Sequence, residues 1–166
     1  MSARAAAVLC ACAAAAAPAG AWSLESHRCA SECLVDGAGA RTAYDLEWPA
    51  AAEPDPALRD VQEALLAMLI PEGATSSPGR LELVLEARRG ELEREFLSFR
   101  RSFPDTAHVW FDEVRGGPVW TNAAAFVYCL AFSAFTGGAH PNGSELYFVF
   151  ARADGRRLGA ADLLAP

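Results

Sequence analysis

Between Arg41 and Trp48 the chain alternates two sets of residues: Thr42, Tyr44, Leu46 and Trp48 on one side, Ala43, Asp45 and Glu47 on the other. A period of two with one wet side predicts a half-buried β-strand. Pro49 to Pro56 is rich in breakers and reads as a loop. Its last two residues, Asp55-Pro56, supply an N-cap followed by proline at the first helical position. Leu58, Val61, Leu65 and Met68 then recur at spacings of three and four, so residues 56–70 read as an amphipathic helix, stopped by Pro71-Glu72-Gly73. Ser77-Pro78 opens a second helix by the same device. Its stripe is Leu81, Leu85, Arg88, Leu92, Phe96, Phe99 and Phe103, which only Arg88 interrupts. Gly90 weakens this helix by about 1 kcal/mol relative to Ala and marks a place for a kink. Residues 81–86 also nearly alternate, which leaves a strand there as the alternative. The charge run Arg88, Arg89, Glu91, Glu93, Arg94 and Glu95 reads as a solvated helix face, not a ligand site.

After Pro104 the pattern turns β-like. Val109–Val114 predicts a strand, Arg115-Gly116-Gly117-Pro118 a turn or bulge, and Val119–Thr121 more strand. The apolar run Ala124–Phe135 predicts a central strand covered on both faces. Glu145–Ala151 is the next strand, Asp154-Gly155 a tight turn, Arg157-Leu158 a short continuation, and Ala160–Leu164 the first turn of a helix. Helices followed by several strands make the class α+β, an antiparallel sheet packed with two helices. Two helices cover one face of such a sheet. An exposed apolar patch or strand edge near the C-terminus is therefore expected, and it favours self-association.

The length of 166 residues suits one domain. With 14 basic against 21 acidic side chains the formal charge is −7, which argues against nucleic acid as a partner. The N-terminus combines Arg4, an apolar run from Ala5 to Ala17 and the small residues Ala19 and Ala21. This is the shape of a secretory signal peptide over residues 1–21, cleaved after Ala21. Leu9-Cys10-Ala11-Cys12 also has the form of a lipoprotein box, so lipidation at Cys12, with peripheral membrane attachment, is the second route. Either route exports the protein to a periplasmic or extracellular location. Residues 22–40 are polar and Gly/Ala-rich and read as a flexible lead-in, leaving 41–166 as a single α+β domain.

Export bears on the cysteines. Cys10 and Cys12 fall in the leader, while Cys29 and Cys33 are the candidate disulfide of an oxidising compartment. Unpaired thiols, or a metal held with His27, are the alternatives, and no fourth metal ligand is visible. Cys129 reads as a small buried hydrophobe. No nucleophile elbow, phosphate loop, zinc-protease helix or dinucleotide fingerprint occurs. His27, His108 and His140 have no ligand spacing, and the adjacent Asp112 and Glu113 point to opposite faces of a strand. The expectation is a protein without enzymatic activity, cofactor or metal. The least ordinary segment is Thr136-Gly137-Gly138-Ala139-His140-Pro141-Asn142. Paired glycines after a buried strand imply positive φ or close backbone approach, and Pro141 holds His140 extended. The candidate binding residues are Thr136, Gly137, Gly138, His140 and Asn142; a structural bend is the competing reading.

The same segment carries a family resemblance. Phe132-Ser-Ala-Phe-Thr-Gly-Gly-Ala-His140, then Asp154-Gly-Arg-Arg-Leu158 and Asp162-Leu-Leu164, with Tyr44-Asp-Leu-Glu-Trp-Pro49 and Leu58-Arg-Asp-Val-Gln62 upstream, resemble a bacterial extracytoplasmic domain of unassigned activity. It is similar to the outer domain of the lysozyme-sensing anti-sigma-V factor (RsiV) and to the N-terminal domain of some peptidoglycan deacetylases of the PdaC type. The resemblance covers residues 41–166 and implies a non-catalytic binding or sensing module of the cell envelope, with lysozyme or peptidoglycan as partner. An accessory domain of a peptidoglycan-modifying system is the alternative. In that family a further half-domain follows the Asp-Leu-Leu segment, so the expectation is a domain incomplete at its C-terminus.

Overall fold

The computed structural model describes residues 11–14, 22–70, 80–106 and 108–164. Seven strands run in sequence order through one sheet: β1 (Ala11–Ala14), β2 (Ser23–Val35), β3 (Ala38–Ala50), β4 (Val109–Thr121), β5 (Ala125–Phe135), β6 (Asn142–Ala151) and β7 (Arg157–Leu158). Every neighbouring pair is antiparallel except β3 and β4, which are parallel. The exception follows from connectivity. Helices α1 (Pro56–Leu69) and α2 (Leu81–Ser102) lie between those strands and carry the chain back to the end where it started. A short helix α3 (Ala160–Leu164) closes the described chain. The α+β class stands, with a mostly antiparallel sheet.

Local chemistry explains the elements. Asp55 caps α1, its Oδ1 accepting from the amides of Ala57 at 2.9 Å and Leu58 at 3.2 Å, with Pro56 at the first helical position. The second expected start, Ser77-Pro78, lies outside the described residues; α2 begins after Arg80 without a side-chain cap. Residues 81–86 are helical, and α2 runs through Gly90 unbroken. Strand β4 runs continuously from Val109, with the expected irregularity reduced to a register shift between Pro118 and Trp120.

Two expectations are corrected, and one strand falls within the expected leader. Residues 22–40 are not a loose lead-in. They form β2 and the start of β3, paired from Ser23↔Ala50 to Val35↔Ala38 around a two-residue turn, Asp36-Gly37, with φ +47° and +81°. Positive φ at both turn residues is what a right-twisted hairpin requires, and Asp-Gly is its sequence signal. The alanines, glycines and serines around it masked the strand. Ala11–Ala14, inside the expected leader, pairs with Glu25–Arg28 as β1. Finally, among the described residues β5 is covered by the long helices on one face only: Phe126, Tyr128 and Leu130 are buried, while the alternate Val127, Cys129 and Ala131 are half-buried.

Both long helices lie on that one face. Tyr44, Leu46 and Trp48 of β3, Val114 of β4, Tyr128 and Leu130 of β5 and Phe148 and Phe150 of β6 meet Val61, Leu65, Val84 and Leu85 there. A second cluster, Ala38, Ala40, Leu92, Phe96 and Trp110, fills the space under the far end of α2. Neither α1 nor α2 packs on the opposite face of the sheet. No described helix is long and apolar enough to cross a membrane.

Candidate functional site

The glycine-rich segment connects β5 to β6. Gly137 has φ +87°, and a Cβ there would lie 3.1 Å from the Trp110 indole nitrogen. The glycine lets the backbone close over the buried Trp110 ring, whose Nε1 has no hydrogen-bond partner among the described residues. Thr136, Gly138, His140 and Asn142 are exposed. His140 Nδ1 lies 3.0 Å from its neighbour Pro141's carbonyl oxygen, and Asn142 opens β6 opposite Ala134. No hydrogen bond joins these side chains among the described residues. The segment is a bend first.

The Cys29–Cys33 bridge is excluded by the fold. Both residues lie on β2, four positions apart on one straight strand, roughly 13 Å at 3.3 Å per residue, beyond the reach of a disulfide. Burial, and secondarily the nearby Glu93 carboxylate, push the Cys33 thiol up from its ordinary pKa. Cys129 is half-buried on the helix-free face rather than in the core.

Arg88 belongs to the core, not to a solvated helix face. Its Nη2 donates to Asp112 Oδ1 at 2.7 Å, its Nε to Asp112 Oδ2 at 3.0 Å and its Nη1 to the Leu69 carbonyl at 3.1 Å. The Tyr44 hydroxyl donates to Asp112 Oδ2 at 3.0 Å, and the Phe132 ring lies 5.7 Å from the guanidinium. Burial works against the Arg88 charge, yet the hydrogen bonds and charge of Asp112 hold its pKa above the ordinary value. Burial, reinforced by the Asp112 charge, raises the Tyr44 phenol. Every oxygen of Asp112 is engaged. The cluster ties α1, α2, β3 and β4 together, and the one polar member of an apolar helical stripe was its sequence signal. Glu113, as adjacency on a strand requires, turns to the other face, where it lies 3.5 Å from Arg41.

That other face is organised by register. Partnered residues of adjacent strands stand side by side, so each row crosses the sheet. One row reads Arg28, Asp45, Arg115, Ala131, Glu145. Beside it run Ala30, Ala43, Glu113, Ser133, Gly143 on one side and, on the other, Ser26 and Glu47, then Gly117, Cys129 and Tyr147, with Glu47 next to Gly117 just past the end of the β3–β4 ladder. A charged ridge therefore separates two low troughs. Along the first trough lie two hollows of about 500 Å³ and 420 Å³ that share Glu113 and Arg115. A third, of about 310 Å³, lies along the second trough and shares Arg115. Arg28 pairs with Asp45 at 3.0 Å. Arg115, the wall common to all three hollows, makes no ion pair among the described residues. None of the expected loop residues lines these three hollows, although the adjoining Gly143 and Ser144 line the first.

No protein-family model matches the chain, and no curated protein does. Among solved structures, a DUF3298 family member from Bacteroides fragilis superposes with a TM-score of 0.67 at 16% identity, over 86% of this chain and 61% of its own. A DUF3298 family protein from Pseudomonas aeruginosa PAO1 gives 0.46 at 20% identity, over 84% of this chain and 56% of its own. The chain thus spans 61% of the length of the Bacteroides fragilis structure. Over most of its length, this chain has the fold of that DUF3298 family protein.

Proposed function

We propose that the protein is an exported, non-catalytic binding module of the bacterial cell envelope, and that the helix-free face of its sheet is the contact surface. The observation that carries this reading is the asymmetry of the sheet. One face holds both long helices and the core, while the other presents a charged ridge and shallow hollows. Hollows of this openness suit a partner laid across the surface better than a small molecule enclosed in a cleft. The three rows carry Asp45, Glu47, Glu113 and Glu145 against Arg28 and Arg115, four acids to two arginines. An acidic excess speeds encounter with a cationic partner and favours lysozyme over wall glycan as the ligand. The one buried carboxylate among the described residues, Asp112, is occupied by Arg88 and Tyr44, which supports binding rather than acid–base chemistry.

Calorimetric titration with lysozyme and with soluble peptidoglycan fragments tests the reading. Glu47→Lys weakens lysozyme binding about tenfold, and Arg115→Glu strengthens it, with both effects shrinking in high salt. If instead Arg115→Glu abolishes binding of carboxylated wall fragments, wall material is the ligand. Binding that ignores both substitutions, or no binding to either probe, removes this face from consideration.

A further inference from the structure

We infer that removal of the leader opens the outer edge of β2, and that two exported copies pair through it in an antiparallel register centred on Ala30. The inference rests on the reading of the protein as exported, because β1 belongs to the expected leader and leaves with it. In the structure β1 lies on this edge as an antiparallel strand, from Ala11↔Arg28 to Ala14↔Glu25, so the edge accepts one. The expected edge near the C-terminus is partly closed, since β7 covers Val149 and Phe150 of β6. Strand β2 offers thirteen residues, Ser23–Val35, with no proline and no register break against β3. Val35 and Ala38 flank the two-residue turn and exchange main-chain hydrogen bonds, so every second residue back from Val35 faces β3. Leu24, Ser26, Arg28, Ala30, Glu32 and Leu34 therefore direct their N–H and C=O groups outward. Helix α2 packs over β3 and β4 rather than over β2, and so is set back from this edge.

A two-fold pairing must set outward residues opposite outward residues, which leaves a short set of centres. Centring on Arg28 or on Glu32 sets two like charges opposite each other, which disfavours both ladders. Centring on Cys29 places Arg28 against Ala30 and Glu32 against Ser26; centring on Ser31 places Arg28 against Leu34 and Glu32 against Ala30. Neither matches a charge, and centres nearer the ends shorten the ladder. Centring on Ala30 sets each Arg28 opposite the other copy's Glu32. That ladder runs from Glu25 to Val35, ends at the turn, and meets no other described strand once β1 has gone. Charge selects a second copy as the occupant. Within one chain Arg28 stands beside Asp45, and Glu32 beside Arg41. The row through the seam therefore reads Arg115, Asp45, Arg28, then Glu32 and Arg41 of the second copy, its sign alternating at every step. The two-fold stands normal to the sheet, so the helix-free faces of both copies join into one surface.

Mass spectrometry of the chain purified after export fixes its first residue. Sedimentation equilibrium of the same preparation, at concentrations up to about 100 μM, reads the association. A chain that begins at Trp22 is a concentration-dependent dimer. Arg28 and Glu32 are both exposed, so Arg28→Glu and Glu32→Arg leave the core intact. Each sets like charges opposite each other at two places in the ladder and weakens association about tenfold. Mixed in equal amounts, the two variants restore both opposite-charge pairs and form a heterodimer of wild-type affinity. Hydrogen exchange on wild type supplies a readout free of mutation: protection of the Arg28, Ala30 and Glu32 amides rises with protein concentration. A chain that begins at Trp22 and stays monomeric, a dimer indifferent to both substitutions, or variants that do not pair when mixed overturns the inference alone. An exported chain that retains β1 overturns it together with the proposed leader cleavage.

Discussion

Arg88 and Asp112 form a two-pronged ion pair, at 2.7 Å and 3.0 Å, between the middle of α2 and the inner face of β4. Their side chains are only 17% and 10% exposed. A buried pair is worth little relative to well-packed apolar residues, but breaking one is costly because the surviving charge is left in the core. Asp112→Ala is expected to destabilise by about 3–5 kcal/mol. Arg88→Met combined with Asp112→Leu is expected to cost clearly less than the two single losses added together. Urea unfolding of the four proteins measures the coupling.

Two glycines with opposite roles provide an internal contrast. Gly155 has φ +70°, and an added Cβ would run into the carbonyl of Ala57, in the first turn of α1. Gly155→Ala therefore separates the β6–β7 turn from α1 and destabilises by roughly 2–3 kcal/mol. Gly90 lies inside α2 with nothing within 4 Å of its added Cβ. Gly90→Ala stabilises by up to about 1 kcal/mol. Opposite shifts of Tm in thermal melts are the expected outcome.

The bend over Trp110 yields a similar contrast. Gly137→Val meets both the positive φ and the indole ring, and the domain is expected to lose its cooperative melt. His140 is exposed and touches only its neighbour's carbonyl, so His140→Ala changes stability by less than about 0.5 kcal/mol and leaves lysozyme or wall-fragment binding intact. A binding loss in a normally folded His140→Ala protein would return the loop to the ligand site.

Acid sensitivity is expected at the first residue after the proposed leader. The Trp22 indole donates to Asp55 Oδ2 at 2.8 Å; this bond first, then the α1 amides, lowers the Asp55 pKa. A carboxylate depressed in the folded state stabilises fully above the ordinary Asp pKa, and that stability is lost as pH falls toward the folded value. Asp55→Asn keeps a capping oxygen but no charge. Wild type should therefore lose more stability than Asp55→Asn between about pH 5 and pH 3, measured by denaturant unfolding at each pH.

Processing is checked by mass spectrometry of the exported chain. Cleavage after Ala21 leaves Trp22 as the first residue, and its ring is already held edge-on to Phe126 at 5.5 Å and beneath Arg152 at 4.7 Å. A chain that begins at a lipid-bearing Cys12 would instead establish the lipoprotein route.

Elements whose local pattern and packing agree were legible in the sequence alone. Helix α1 carries its cap, its proline and an apolar stripe within fifteen residues, and β3 alternates along most of its length. The pattern also set Asp112 and Glu113 on opposite faces. It failed wherever identity depends on a distant partner. Arg88 looks like a flaw in an apolar stripe until β4 brings Asp112 beneath it. Strand β2 is too poor in branched and aromatic residues to announce itself, and it forms because thirteen backbone pairs with β3 satisfy it. The apolar run of β5 resembles a doubly covered strand, yet α1 and α2 both pack on one face, and only that placement leaves Cys129 and Ala131 on the other. The helix-free face was illegible for the same reason. Arg28, Asp45, Arg115 and Glu145 span more than a hundred positions of sequence, and only the register of four strand pairs sets them in one row.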